Sequence, residues 1–327
     1  MLRNSAALSI LTVLLTGCGA APVASTTPGV NSPSGTASAL AATGSETASP
    51  PSPSIPMTTD IDGTIVFARD GDLYTVGRGG EKRLTTTDAR ESNPAWSPKG
   101  DSIIFASDRD GQADLYTMAA EGSHVKRLTN SPGEEWAAGW SPDGKRIAFA
   151  TFADPGGGAV WAMNGDGSGL TKIYADANAF IGFEEWSADG SILLAIDKAG
   201  GGELDLYAMS PDGKNLTAIV HSPGDDSGGR VSPDGSKLAF WSDKGPRGDG
   251  PGIYVSAPDG SDPTAVYRDA LGIDIAPLSW SPDNSQIAWV GKFEGGSASA
   301  MYVQAIKGGD RRQVTAELPE QTLIDWK

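Results

Sequence analysis

Cysteine, histidine and basic residues are scarce in this 327-residue sequence, and each shortage excludes a class of protein. The single cysteine, Cys18, cannot form an intrachain disulfide or a thiolate-rich metal cluster. The two histidines, His124 and His221, lack a second histidine at metal-ligand spacing, and no GxSxG motif indicates a serine hydrolase. Because 25 basic residues face 41 acidic ones, the net charge is −16 and nucleic-acid binding is not expected.

Long amphipathic helical patterns are also missing from the sequence. In their place stand 43 glycines, 22 prolines and 9 tryptophans, a composition that favours short strands joined by tight turns. The sequence therefore predicts an all-β protein.

The N-terminus has the organisation of an export signal. Arg3 is followed by the apolar run from Ala6 to Leu15, which is too short to span a bilayer. The residues from Leu15 to Cys18 resemble the lipobox of bacterial lipoproteins, and an ordinary signal peptide is the alternative. The resemblance implies cleavage of residues 1–17 and lipidation of Cys18, including an acyl chain such as palmitate. Both the outer leaflet of the plasma membrane and the outer membrane remain open as locations.

Residues 18–59 form a second segment, rich in Ala, Ser, Thr and Pro. Its one charged residue is Glu46, and it has almost no large apolar side chains to bury. We expect a disordered tether with a root-mean-square reach of roughly 35 Å, which holds the folded domain away from the membrane.

A repeat of about 45 residues organises the chain from Asp60 onward. Its marker is a pentad of the type Trp-Ser-Pro-Asp-Gly, which begins at Trp96, Trp140, Trp186, Val231 and Trp280. Each pentad precedes an alternating apolar run, a second strand-like run, a glycine turn and a further apolar position, which is the four-strand pattern of a propeller blade.

The two ends of this array complete one another. Residues Ile65 to Leu84 supply three strands without an opening pentad, and Leu323 to Trp326 supply one isolated strand. Joining them closes the ring and removes an exposed sheet edge. Residues 60–327 are therefore predicted to form one six-bladed β-propeller of four-stranded antiparallel blades, closed by the C-terminal strand.

Several motifs resemble the propeller repeats of the TolB, tricorn protease and dipeptidyl peptidase group. They are the pentad, the loop Ser107 to Gly111, the pair Leu115-Tyr116 and the closing Lys126 to Thr129. The resemblance covers the whole predicted propeller and implies a WD-like repeat domain that binds a protein or admits a peptide. TolB carries an α/β domain before its propeller, whereas here we expect the lipid tether in that place.

Candidate binding residues follow from the position of the first strands, which line the channel of a propeller. Five residues before each pentad start, at one predicted rim, stand Glu91, Glu135, Ile181, Asp226, Ile275 and Gln321. The three acids and Gln321 would form a negative funnel for a basic peptide, an amine or Ca²⁺. Solvated loop acids are the alternative. Arg230 is the one basic residue expected in the channel strands. The longer loops, Asp243 to Pro251 and Lys292 to Ser299, are predicted on the same face.

Asp108, Asp110 and Asp114 have a spacing loosely like that of a calcium loop, but the glycine and glutamate of an EF-hand are missing. A hairpin whose aspartates serve the turn is the alternative, so no cofactor is expected, with Ca²⁺ left open.

These observations favour a monomeric, non-catalytic envelope lipoprotein that binds a protein or peptide partner on its loop face and channel mouth and reaches the membrane through its lipid anchor only. Two alternatives stay open. One is a carbohydrate lyase or glycoside hydrolase with carboxylates about 5 to 10 Å apart. The other is a sensor of small ligands or metal in the cell envelope.

Overall fold

A computed structural model describes residues 58–130, 135–152, 157–198, 200–268, 278–292, 299–316, 318 and 322–327. The predicted leader, Cys18 and nearly all of the tether lie outside the described residues. Every regular element in the described part is a strand. The described residues contain no helix that is long and apolar enough to cross a membrane.

Twenty-four strands form six four-stranded antiparallel sheets. In chain order they are β1 (Thr64–Arg69), β2 (Asp72–Gly77), β3 (Gly80–Arg83), β4 (Glu91–Trp96), β5 (Ser102–Ser107), β6 (Asp114–Ala119), β7 (Lys126–Arg127), β8 (Glu135–Trp140), β9 (Arg146–Phe152), β10 (Gly158–Asn164), β11 (Thr171–Asp176), β12 (Phe180–Trp186), β13 (Ile192–Asp197), β14 (Asp205–Met209), β15 (Thr217–Val220), β16 (Asp226–Val231), β17 (Leu238–Ser242), β18 (Gly252–Ser256), β19 (Thr264–Arg268), β20 (Leu278–Trp280), β21 (Gln286–Lys292), β22 (Ser299–Ala305), β23 (Arg312–Gln313) and β24 (Ile324–Trp326). The predicted six-bladed propeller is confirmed.

The ring closes as the sequence predicts. The composite sheet has the order β24-β1-β2-β3, and the register of its first pair places Ile65 opposite Trp326 and Phe67 opposite Ile324. Backbone bonds between Thr64 and Lys327, of 2.6 and 2.9 Å, extend that pairing. Residues from the two ends of the described propeller therefore share one sheet.

Each pentad makes the turn between the first two strands of a blade. In the blade formed by β8 to β11, the Ser141 hydroxyl donates to Asp143 at 2.7 Å, and the Gly144 amide donates to the Ser141 carbonyl at 2.8 Å. Asp234 accepts equivalent hydrogen bonds, of which the bond from the Ser232 hydroxyl has the largest effect, and together they lower the pKa of Asp234 to about 2. The pentad aspartates are thus held ionised by their own turns, as a structural role for the motif requires.

The glycine turns fix how closely neighbouring blades approach. Gly260 has a φ of +82°, and a Cβ added there would lie 1.8 Å from the carbonyl oxygen of Ile219. This turn therefore needs glycine for its backbone conformation and for the close contact. We call the end of the propeller that carries the pentads and glycine turns the pentad face, and the opposite end the loop face.

Candidate functional site: the central channel

The first strands of all six blades surround a cavity of about 430 Å³ on the propeller axis. Pentad residues such as Pro98, Pro142 and Pro233 line it, which places the cavity at the pentad face. Its volume lies within the range of about 300 to 1,000 Å³ that is usual for small-ligand sites.

One ring of six residues gives the cavity its chemical character. Each member directly precedes the first residue of a pentad or the matching Trp326, and all six line the cavity: Ala95, Gly139, Glu185, Arg230, Ser279 and Asp325. Four consecutive blades contribute polar side chains, and the other two contribute Ala95 and Gly139. The channel therefore has a polar arc and a small-residue arc.

Glu184 and Arg230 form an ion pair between neighbouring blades in the polar arc. The Arg230 Nη1 atom lies 3.1 Å from Glu184 Oε2, and the Gly228 amide donates to Glu184 Oε1 at 3.2 Å. Both side chains are largely buried, with exposed fractions of 17% for Arg230 and 12% for Glu184. Burial raises the pKa of Glu184, although the Arg230 charge opposes this effect.

Glu185 and Asp325 are the other two carboxylates of the polar arc, and each accepts a backbone bond from the next blade. The Val231 amide donates to Glu185 at 2.5 Å, and the Trp96 amide donates to Asp325 at 2.7 Å. Burial raises the pKa of Glu185 to about 7, and the nearby charge of Asp325 adds to the shift. Burial likewise raises the pKa of Asp325. The channel thus holds an acid that changes charge near neutral pH.

The tryptophans that follow this ring differ in how their indole groups are satisfied. Trp186 donates to Gly190 O at 2.9 Å and Trp280 to Arg230 O at 2.8 Å. In contrast, the buried Nε1 atoms of Trp96 and Trp140 have no acceptor among the described residues. Both of these residues line the cavity, on the side of the small-residue arc.

The three acids predicted at the rim stand at the starts of β4, β8 and β16, but their side chains are inside the protein. Glu91 and Glu135 are 1% exposed and Asp226 is 0% exposed. Thr85 and Thr87 donate to Glu91 at 2.8 and 2.5 Å, and Arg109 forms an ion pair with it at 2.9 Å. The three acids therefore form no open acidic ring in this structure, because their carboxyl oxygens accept hydrogen bonds inside the protein. Ile275 and Gln321 lie outside the described residues.

Glu135 and Asp226 repeat the same contact with the end of the preceding blade. Thr129 donates to Glu135 at 2.6 Å, and Ser222 donates to Asp226 at 2.6 Å. Ile181, at the equivalent position of β12, packs in a hydrophobic cluster instead. This position therefore fastens one blade to the next, by a hydrogen bond or by apolar packing.

β-Bulges explain why Glu91, Glu135 and Asp226 do not line this cavity. The pairing register shifts between Ser92 and Ala95 in β4, and β8, β12 and β16 have equivalent shifts. An extra residue reverses the alternation of side chains, so positions four apart no longer share a face. The channel ring consequently contains Glu185 and not Ile181. Of the predicted site residues, Arg230 does line the cavity.

Replacing Thr129 by valine should lower the free energy of unfolding by about 1 to 3 kcal/mol. The Thr129 hydroxyl donates to Glu135 and accepts from the Leu115 amide at 2.9 Å, so its loss removes two buried hydrogen bonds, one of which joins neighbouring blades. Urea denaturation measures the change. The control is Thr217→Val, because that exposed hydroxyl donates only to Asn215 O at 3.2 Å. Equal stability of the two variants would contradict the inter-blade role.

Asp108, Asp110 and Asp114 do not converge as one ligand set. Asp108 accepts from the Arg90 amide at 2.7 Å, Asp110 accepts from the Tyr116 hydroxyl at 2.6 Å, and Asp114 pairs with Arg127. No group of three or more acidic, histidine or cysteine residues that could hold a metal occurs in the described part of the chain. The three aspartates serve the hairpin and its neighbouring strand, and Ca²⁺ binding there stays an untested prediction.

His124 and His221 are both exposed. The His221 Nδ1 atom lies 2.8 Å from Asp205, and this hydrogen bond raises the histidine pKa. Neither histidine lines the channel cavity.

The loop from Asp243 to Pro251 closes on itself. The Gly250 amide donates to Lys244 O at 2.9 Å, and the Tyr254 hydroxyl donates to Gly250 O at 2.6 Å. Residues 293–298 of the second long loop lie outside the described residues.

The fold and its channel define a six-bladed propeller with a ligand-sized site on the axis. The family model described as the tricorn protease N-terminal β-propeller domain matches residues 56–154. TolB of Acinetobacter baumannii is similar in structure, with a TM-score of 0.67 and 17% identity over 83% of this chain and 68% of that one. A putative TolB of Agrobacterium tumefaciens has a TM-score of 0.63 and 18% identity over 81% and 98%. These findings support a TolB-like, tricorn-type β-propeller.

A puromycin-hydrolyzing peptidase of Mycobacterium tuberculosis is also similar, with a TM-score of 0.55 and 15% identity. The match covers 78% of this chain and only 43% of the peptidase. At these identities the likeness concerns the fold alone, so function has to be argued from the channel.

Proposed function

We propose that this protein is a non-catalytic envelope propeller, anchored through Cys18, that binds a segment of a partner protein in its channel from the pentad face. The observation that carries the proposal is the cavity of about 430 Å³, which all six blades line. Its polar arc offers charged groups, and its small-residue arc, with the ring of Phe183, offers an apolar wall. Monomeric action is part of the proposal, because one chain supplies the whole channel lining.

The location rests on the sequence from Leu15 to Cys18 and on the tether that follows. A lipid-anchored chain of this kind partitions into the detergent phase of a Triton X-114 extract. Cys18→Ser should move the protein to the aqueous phase. Detergent partition that survives this change would remove the anchor from the proposal.

A second candidate function, polysaccharide cleavage, is favoured by one observation. Glu185 has a pKa of about 7 and lies in a cavity close to Asp325, and an acid with a raised pKa is typical of general acid catalysis. Turnover of a panel of acidic and neutral polysaccharides, lost in Glu185→Gln, would establish this activity in place of the binding role.

The binding role is tested by filling the channel. Peptides that bind the full chain are first selected from a random library. Their affinities are then measured for the variants Ala95→Trp and Ala137→Trp, which place an indole at residues that line the cavity. The matched control is Val125→Trp, on an outer turn where Val125 is 42% exposed. We expect binding to survive in the control and to fall at least tenfold in both channel variants.

Two outcomes contradict the proposal, provided that thermal unfolding shows all three variants to be folded. Peptides that bind the three variants equally would place the binding surface outside the channel. Failure of a diverse library to yield any binder would remove the peptide-binding role.

A further inference from the structure

We infer that the channel selects a partner segment carrying a basic side chain, held between the carboxyl groups of Glu185 and Asp325 and the small-residue arc. The inference rests on the proposed function and adds the chemical class of the ligand. It differs from the rim funnel predicted from the sequence, because it depends on other residues in the same channel.

The first argument is the charge balance of the cavity. Glu184, Glu185 and Asp325 supply three carboxyl groups, against which stand two cations, Arg230, paired with Glu184, and Lys327, exposed at the mouth. Among the described residues, Glu185 and Asp325 form no ion pair, and their partners are backbone amides and the Ser279 hydroxyl at 3.5 Å. The nearby charge of Arg230 offsets part of the cost of burying these two carboxylates, and a ligand cation placed beside them would offset more of it, which a neutral group cannot do.

The second argument is the shape of the opposite wall. Ala95 is small, and the ring of Phe183 fills the space beside Gly139, 3.0 Å from the position that a Cβ there would take, so this wall of the cavity is apolar. A lysine or arginine side chain has an aliphatic stem suited to such an apolar wall and a charged end for the acids. A metal ion has no stem, and no metal-holding group occurs among the described residues.

Protonation of Glu185 should modulate this selectivity. The charged groups that share the cavity with it are Glu184 on its own strand, Arg230 on β16, Asp325 on β24 and the exposed Lys327 at the mouth. Because the Glu185 pKa is about 7, the charge offered to a ligand is larger at pH 8 than at pH 6.

The test uses the full chain and two hexapeptide libraries, identical except that the third residue is lysine in one and norleucine in the other. Fluorescence polarisation at pH 8 should show at least tenfold tighter binding of the lysine library, and the ratio should shrink at pH 6. Glu185→Gln and Asp325→Asn should each lower the ratio at least fivefold. The matched control is Glu203→Gln, whose exposed carboxylate pairs with Lys244 at 3.3 Å.

The outcomes separate this inference from the proposed function. If both libraries bind equally and Ala95→Trp blocks both, the channel binds peptides and the inference about charge is wrong. A lysine preference that survives both carboxylate variants would also overturn it. If neither library binds, the proposed function fails together with the inference.

Discussion

Replacing Trp326 by alanine is expected to lower the free energy of unfolding by about 3 to 5 kcal/mol. Trp326 is 5% exposed and packs in a cluster with Ile61, Ile65 and Val303. Its indole donates to Asp62 O at 2.6 Å, and its amide donates to the Ser279 hydroxyl at 2.9 Å. The substitution therefore removes a large buried side chain from the strand that closes the ring.

Urea denaturation of three variants separates the causes of this loss. Trp326→Phe keeps much of the packing and loses the bond to Asp62, so its stability should lie between those of the wild type and Trp326→Ala. Leu170→Ala removes an apolar side chain that is 44% exposed and should change stability by less than about 0.5 kcal/mol. A loss below about 1 kcal/mol in Trp326→Ala would show that the ring does not depend on this contact.

The second large effect concerns pH, and it follows from Glu185. Its pKa is raised from 4.5 to about 7 in the folded protein, so the folded state holds the proton more tightly than the unfolded state. The resulting stability is fully present below pH 4.5 and is lost as the pH rises through 7. A shift of this size corresponds to about 3 kcal/mol, and Glu184, Asp325 and Asp226 have raised pKa values that act in the same direction.

Glu185→Gln should therefore flatten the decline in stability between pH 5 and pH 8 and make the protein more stable than wild type above pH 7. The glutamine oxygen can still accept the Val231 bond, so the change isolates the charge. Denaturation midpoints measured across this range test the expectation, with Glu203→Gln as the exposed control. The same slope in the wild type and in Glu185→Gln would mean that Glu185 does not titrate in this window.

The burial of the three acids predicted at the rim has a local cause. Counting back five residues from the pentads finds Glu91, Glu135 and Asp226, which would face the channel if the strands were regular. The bulges in β4, β8 and β16 turn these side chains into the protein. Sequence alternation cannot reveal such a bulge, because the inserted residue is fixed by pairing with the neighbouring strand. The residue directly before the pentad was the signal that would have identified Glu185 and Asp325.

The sequence by itself determined the number of blades, the four-strand pattern and the closing role of Trp326. It could do so because these properties depend on local turns and on alternation, which recur with every pentad. The tertiary structure alone decided which carboxylates enter the channel and which fasten blades together. That choice depends on strand register and on burial between Glu185, Arg230 and Asp325, which are brought together from three different blades.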